Sequence, residues 1–168
     1  FAIMGYGTLG SGLAHVAHVN HDSIAEKVGE EIAVKYILDI RDFENNPYQH
    51  LMIKDFSIIE NDPEVEVVVE AIGGSKVALE FTRRALLAGK HVVTANKELV
   101  ATYGKELLAI AKEKNVNYLF EASVGGAIPL LRPLYQCLAG NQIEEIVGIL
   151  NGTTNYILTK MQNEGANF

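Results

Sequence analysis

The sequence predicts an α/β fold with a doubly wound parallel sheet, and three observations carry that expectation. Short apolar runs alternate with segments whose apolar residues recur at helical spacing, which is the order of repeated strand–helix–strand units. The strand candidates are brief and rich in β-branched residues, as in strands covered on both faces. Between the first strand and the first helix stands Gly5-Tyr6-Gly7-Thr8-Leu9-Gly10. That is the GxGxxG turn that opens a Rossmann-type dinucleotide-binding unit.

Taken in order, the first strand is expected at Phe1–Met4 and the first helix at Thr8–Asn20. A charged insert, Asn20–Glu31, lengthens the path to a second strand at Ala33–Asp39. The irregular stretch that follows holds a strand at Leu51–Lys54 and a short helix at Phe56–Asn61. Strands at Val65–Glu70, His91–Thr94 and Tyr118–Phe120 then alternate with helices at Ser75–Ala88 and Glu98–Lys114. The character changes near Glu121, where Ser123–Ala127 reads as a glycine-rich loop. A helix follows at Ile128–Leu138; Pro129 suits its first turn, and Pro133 demands a kink or an end. Ile143–Leu150 reads as a strand, and Thr153–Gln162 as a helix with a threonine available for capping. The chain thus divides into residues 1–120 and 121–168.

Hydrophobic residues make up 48% of the chain and charged residues 21%, an ordinary globular balance. The formal net charge of -7 repels a phosphate backbone, so nucleic-acid binding is not expected. No apolar run reaches the length of a membrane span. A single cysteine, Cys137, closes no internal disulfide and suits a reducing, cytoplasmic setting. It lies in an apolar helical segment and is expected to be packed. The chain starts inside an apolar run and stops after a polar one, so it reads as a piece of a longer protein.

The glycines carry the first chemistry. Gly5 permits a tight turn, Gly7 lets the backbone approach a pyrophosphate, and Gly10 lets helix and strand pack closely. The positive end of the helix then faces the anion. The second strand ends in Asp39, with Arg41 two residues on. An acid there suits the ribose of NAD, and an arginine accommodates the phosphate of NADP, so both cofactors stay open. Small residues after Glu70, Ala71-Ile72-Gly73-Gly74, either let a flat ring approach or simply turn the chain. Lys97 follows a buried strand and begins a helix, against the electrostatic preference of cations for the far end. By itself it reads as an exposed helix lysine; at a ligand edge its ammonium would stabilise an oxygen that gains charge. His15, His18 and His21 do not converge on one helix face, so no metal site is expected there.

Three further segments make a resemblance visible. Thr94-Ala95-Asn96-Lys97-Glu98-Leu99-Val100-Ala101 resembles the TANKxLVA segment of homoserine dehydrogenases. Glu121–Pro129 resembles their EASVxGGIP loop, and Gly148–Leu158 their GILNGTTNYIL stretch. With the amino-terminal glycines and Ile72-Gly73-Gly74, the likeness runs along essentially the whole chain. It implies NADPH- or NADH-dependent reduction of L-aspartate 4-semialdehyde to L-homoserine, on the route to threonine, isoleucine and methionine. Residues 121–168 would begin an α+β substrate-binding and dimerisation domain, so a homodimer is expected.

The resemblance also implies roles. Gly5, Gly7, Thr8, Leu9 and Gly10 would hold the pyrophosphate, with Asp39 and Arg41 near the adenosine ribose. Arg41 tilts the expectation slightly toward NADP. Ile72, Gly73, Gly74 and Thr94 would lie toward the nicotinamide, with Lys97 between nicotinamide and substrate as the catalytic lysine. Asn151, Gly152 and Thr153 would meet the substrate. Glu121, Val124, Gly126 and Ile128 would bind a monovalent cation, sodium, mainly through backbone carbonyls. The family's second catalytic lysine, its aspartate partner and a substrate-binding glutamate have no match in this sequence, so the chain is expected to bind cofactor weakly without turnover. Two other readings share the glycine turn: another NAD(P)-dependent semialdehyde or amino-acid dehydrogenase, and a dinucleotide sensor in which Lys97 is incidental.

Overall fold

The computed structural model describes residues 1–149 and 151–168. Six strands form one sheet: β1 (Ala2–Met4), β2 (Tyr36–Leu38), β3 (Met52–Ile53), β4 (Val67–Glu70), β5 (His91–Thr94) and β6 (Tyr118–Leu119). Their order is β3-β2-β1-β4-β5-β6 and every pairing is parallel. The chain moves outward from β1 to β3, then returns to the other side of β1 and moves outward again. That reversal opens a crevice at the carboxyl ends of β1 and β4, where open α/β sheets bind ligands.

The helices are α1 (Thr8–Val19), α2 (His21–Val28), α3 (Phe56–Asn61), α4 (Lys76–Leu87), α5 (Lys97–Lys114), α6 (Glu121–Gly125), α7 (Leu131–Gln136) and α8 (Gly152–Glu164). Alternation along β1 divides the core. Ala2 and Met4 join Val68, Val92, Ala85, Leu86, Leu99 and Leu107 in the larger cluster, against α4 and α5. Ile3 joins Ile37 and Ala14 of α1 in the smaller one. Cover is uneven. β1 is buried throughout, whereas β4 and β5 alternate buried with half-buried residues. The expectation of strands buried on both faces therefore holds at the centre of the sheet and weakens toward β6.

Helix ends follow local chemistry. Asp55 caps α3 by accepting from the Ser57 N–H at 2.9 Å. Asn96 caps α5 through the Leu99 N–H at 3.0 Å, and Asn115 closes it at φ 55°. Lys112 and Lys114 sit in its last turn, the favourable end for cations. In contrast, α1 begins at Gly7 with no side-chain cap, so its first N–H groups remain free for a ligand.

Several expected elements change. β2 is shorter than Ala33–Asp39. The Asn20–Glu31 insert is largely helical as α2, which Gly29 stops at φ 89°. The Ser123–Ala127 loop is partly the last turn of α6. α7 starts only at Leu131, so Pro133 falls in its first turn, where a missing N–H breaks no helical bond, and no kink is needed. Residues 143–149 pair with no strand among the described residues, and Leu150 lies outside them. Their apolar side chains are exposed, Val147 at 85% and Ile149 at 81%; without a partner ladder the β pattern has nothing to pair with. Asn151, rather than a threonine, caps α8, accepting from the Thr154 N–H at 2.8 Å. Cys137 is exposed, not packed. Among the described residues, no helix is long and apolar enough to cross a membrane.

Candidate active site

Two hollows meet at the carboxyl ends of the central strands. The first, about 480 Å³, is lined by Gly5, Gly7, Asp39, Arg41, Lys54, Ile72 and Gly73, with Val77 and Phe81 among its apolar contacts. The second, about 430 Å³, is lined by Leu9, Ile72, Gly73, Gly74, Asn96, Lys97 and Glu98, with Ala122 and Ser123 at its edge. Ala71, Ile72 and Gly73 line both. One extended ligand can therefore run from Asp39 across the glycine turn to Lys97.

The three glycines serve three different needs. Gly5 has φ 97°, and a Cβ there would lie 2.7 Å from the Ala71 carbonyl oxygen. At Gly10 a Cβ would sit 1.9 Å from the Gly5 carbonyl oxygen, so only glycine lets α1 pack on the turn. At Gly7 a Cβ meets nothing within 4 Å. The protein itself leaves that space open, in front of the uncapped start of α1. This arrangement fits a pyrophosphate, which needs close backbone approach and free N–H groups. Thr8 and Leu9 are exposed on the first turn of α1.

Asp39 and Arg41 occupy each other. Asp39 Oδ1 accepts from the Arg41 backbone N–H at 2.9 Å and from Nε at 3.0 Å. Its Oδ2 accepts from Arg41 Nη2 and from the Tyr6 N–H, both at 2.8 Å. The Arg41 guanidinium beside it, more than the backbone donors, holds the Asp39 carboxyl down to about 2. Arg41 itself is exposed and lies over the Phe43 ring at 5.0 Å. The carboxylate therefore has no oxygen free for a ribose until the arginine swings away. Lys54 also lines this hollow, 2.6 Å from Asp42. The sequence reading did not select Lys54; it follows β3, a two-residue strand with a weak pattern.

At the other end, Lys97 is the first residue of α5 and exposed, with no ion pair among the described residues. Thr94 does not line the hollow. It is 1% exposed, its hydroxyl donates to Glu70 and accepts from the Asn96 N–H at 2.9 Å. The expectation of Thr94 beside the nicotinamide thus becomes a place beneath the loop. Asn151, Gly152 and Thr153 line neither hollow; Asn151 is engaged in capping α8.

The expected cation residues are similarly engaged. Glu121 Oε1 accepts from the Leu130 N–H at 2.5 Å and the Leu131 N–H at 2.9 Å, and Oε2 from the Arg132 N–H at 2.7 Å. Those bonds, led by that from Leu130, hold its pKa below the ordinary carboxylate value. The carboxylate acts as the cap of α7, with both its oxygens engaged by backbone donors. What remains for sodium is the carbonyl oxygens of Val124, Gly126 and Ile128. Among the described residues no three His, Cys, Asp or Glu side chains gather as a metal site.

Comparison with known proteins gives the family. A family model described as "Homoserine dehydrogenase, NAD binding domain" matches residues 5–121, and one described as "Homoserine dehydrogenase" matches residues 129–168. The chain is 43% identical over 167 residues to the homoserine dehydrogenase of Bacillus subtilis, covering 96% of this chain and 38% of that protein. It is 42% identical over 170 residues to that of Corynebacterium glutamicum, covering 99% and 38%. Among solved structures, a homoserine dehydrogenase from Thiobacillus denitrificans superposes with a TM-score of 0.88 at 40% identity, over 98% of this chain and 39% of that one. A hyperthermophilic archaeal homoserine dehydrogenase in complex with NADPH gives 0.79 at 28% identity, over 99% and 56%. The chain spans a little over a third of the length of its curated relatives.

Proposed function

Because the chain belongs to the homoserine dehydrogenase family, we propose that it forms the cofactor-holding part of an NAD(P)H-dependent reduction of L-aspartate 4-semialdehyde to L-homoserine. The observation that carries this reading is the pair of joined hollows, with the glycine turn at their junction and Lys97 at one end. When bound, the cofactor supplies or accepts hydride. The work of the chain is to hold and orient it. Gly5, Gly7 and Gly10 set the turn, and the free N–H groups of α1 receive the pyrophosphate. Gly73 and Gly74 leave room for a flat ring. The Lys97 ammonium stabilises the substrate oxygen as negative charge develops on it.

Arg41 and Lys54 favour NADPH. Two cations border the first hollow, while the one acid there, Asp39, has every oxygen occupied. A 2′-phosphate attracts Arg41 and in doing so releases Asp39 to the ribose. The domain boundary near Glu121, a homodimer and a cytoplasmic setting belong to the same reading. The first is supported by the change of cover after β6, the other two by family membership.

The test is a fluorescence titration of the 168-residue chain with NADPH and with NADH. Saturable binding of both, tighter for NADPH and displaced by 2′-phospho-ADP-ribose, is expected. Absence of binding at millimolar cofactor would refute the proposal. Light scattering of the same samples reports the oligomeric state.

A further inference from the structure

Glu70 is the last residue of β4 and has no exposed surface. A buried carboxylate without a cation is unfavourable for folding. Yet no ion pair reaches Glu70 among the described residues; its partners are neutral donors. Burial pushes its pKa up, against the pull of those bonds. An apolar residue would avoid that cost, so the carboxylate stands against the demand of stability.

Its bonds show what it does. Oε1 accepts from the Ile72 N–H at 2.7 Å, which fixes the loop after β4. Oε2 accepts from the Thr94 hydroxyl, directly opposite in register on β5. That hydroxyl then receives the Asn96 N–H at 2.9 Å. Asn96 completes the circuit: its Nδ2 donates to the Gly74 carbonyl at 2.7 Å and the Ile72 carbonyl at 3.3 Å, while its Oδ1 accepts the Leu99 N–H. Ile72, Gly74, Asn96 and Lys97 all line the second hollow. One buried side chain thus joins the loop bearing the glycines to the loop bearing the lysine.

We propose that Glu70 is a positioning residue that locks residues 71–74 to residues 94–97, and so sets the seat of the nicotinamide half of the cofactor relative to Lys97. The proposal rests on the reading of the two hollows given above. In a Glu70→Gln variant the amide oxygen keeps the Ile72 N–H, and the amide nitrogen faces the Thr94 hydroxyl. The hydroxyl then receives two donors, and its own proton loses its acceptor. The link between the two loops weakens, with the hydroxyl proton unpartnered, while the fold keeps its volume.

The experiment compares NADPH with 2′-phospho-ADP-ribose, the same molecule without nicotinamide, on the wild-type chain and on E70Q, T94V, T94S and the E70Q/T94V double variant, with a thermal melt for each. E70Q is expected to melt no lower than wild type. Its NADPH affinity falls about three- to tenfold, the scale of one or two hydrogen bonds, while 2′-phospho-ADP-ribose binds unchanged. T94V behaves alike, T94S restores binding, and the double variant loses no more than the weaker single one, because both break the same link. Parallel loss for both ligands, or unchanged NADPH binding in a folded E70Q, overturns the proposal. A wild-type chain that binds neither ligand overturns instead the reading of the hollows.

Discussion

Gly10→Ala tests the close packing of α1 on the glycine turn. The added Cβ would lie 1.9 Å from the Gly5 carbonyl oxygen, 2.9 Å from its carbon and 3.3 Å from Ile3 Cγ2. Ordinary contact begins at 3.4 Å, so the backbone must yield by about 1.5 Å in an interior with little slack. Neither neighbour is a flexible tip: one is the turn itself, the other a core side chain of β1. Overpacking of this kind destabilises by about 1–3 kcal/mol. Alanine's better helix propensity returns up to about 1 kcal/mol. Gly12→Ala supplies the control. Gly12 lies in the same helix, exposed, with nothing within 4 Å of its Cβ. There only the propensity gain acts, a stabilisation of about 0.5–1 kcal/mol. The propensity gain is common to both, so urea unfolding followed by far-UV circular dichroism should separate the two variants by the overpacking cost, about 1–3 kcal/mol. NADPH titration should show binding lost in G10A and kept in G12A. Equal midpoints for the two variants would refute the packing argument, whatever happened to binding.

Arg41→Ala removes the side-chain donor from each oxygen of Asp39 and leaves one backbone N–H on each; NADPH should weaken about tenfold, on the scale of a charge-assisted bond, while NADH tightens, as read by parallel titrations. Asp39 is held down to about 2 by Arg41, and Asp62 to about 2 by Lys35. Both folded-state values lie below the ordinary carboxylate value of about 3.9. Their contribution is therefore full above that value and lost as pH falls through about 2; the urea midpoint should drop across that window, and less steeply in Asp62→Asn. Asn151→Ala removes the cap of α8, a loss of about 1 kcal/mol, visible as faster hydrogen exchange at Thr154 and its neighbours.

Much of the fold was legible because the sheet is read through local patterns. His91–Thr94 and Phe56–Asn61 have the predicted bounds, since a β-branched run between glycine-lysine and a capping asparagine, or an Asp-initiated turn, needs no distant partner. α2 escaped because its apolar residues are sparse and its stop, Gly29, lies among charges. Residues 143–149 misled for the opposite reason: a run rich in isoleucine and valine makes a strand only if a ladder partner exists. The site was legible where chemistry follows the backbone, as at the glycines and Lys97. It was not where side chains meet through space. Asp39 and Arg41 were read as alternative ligands but are bonded to each other, Glu121 closes a helix, and Glu70 looked like the end of a buried strand.

The position of β1 has a consequence for how the molecule tolerates cutting. A cut in an outer strand of a sheet does little harm, since it frays an edge. Here Ala2–Met4 lie between β2 and β4 in the interior of the sheet. Removing them would shorten no margin. It would leave β3-β2 and β4-β5-β6 as separate ribbons with no shared neighbour, and a protease that reached Phe1–Met4 would act as a core mutation does.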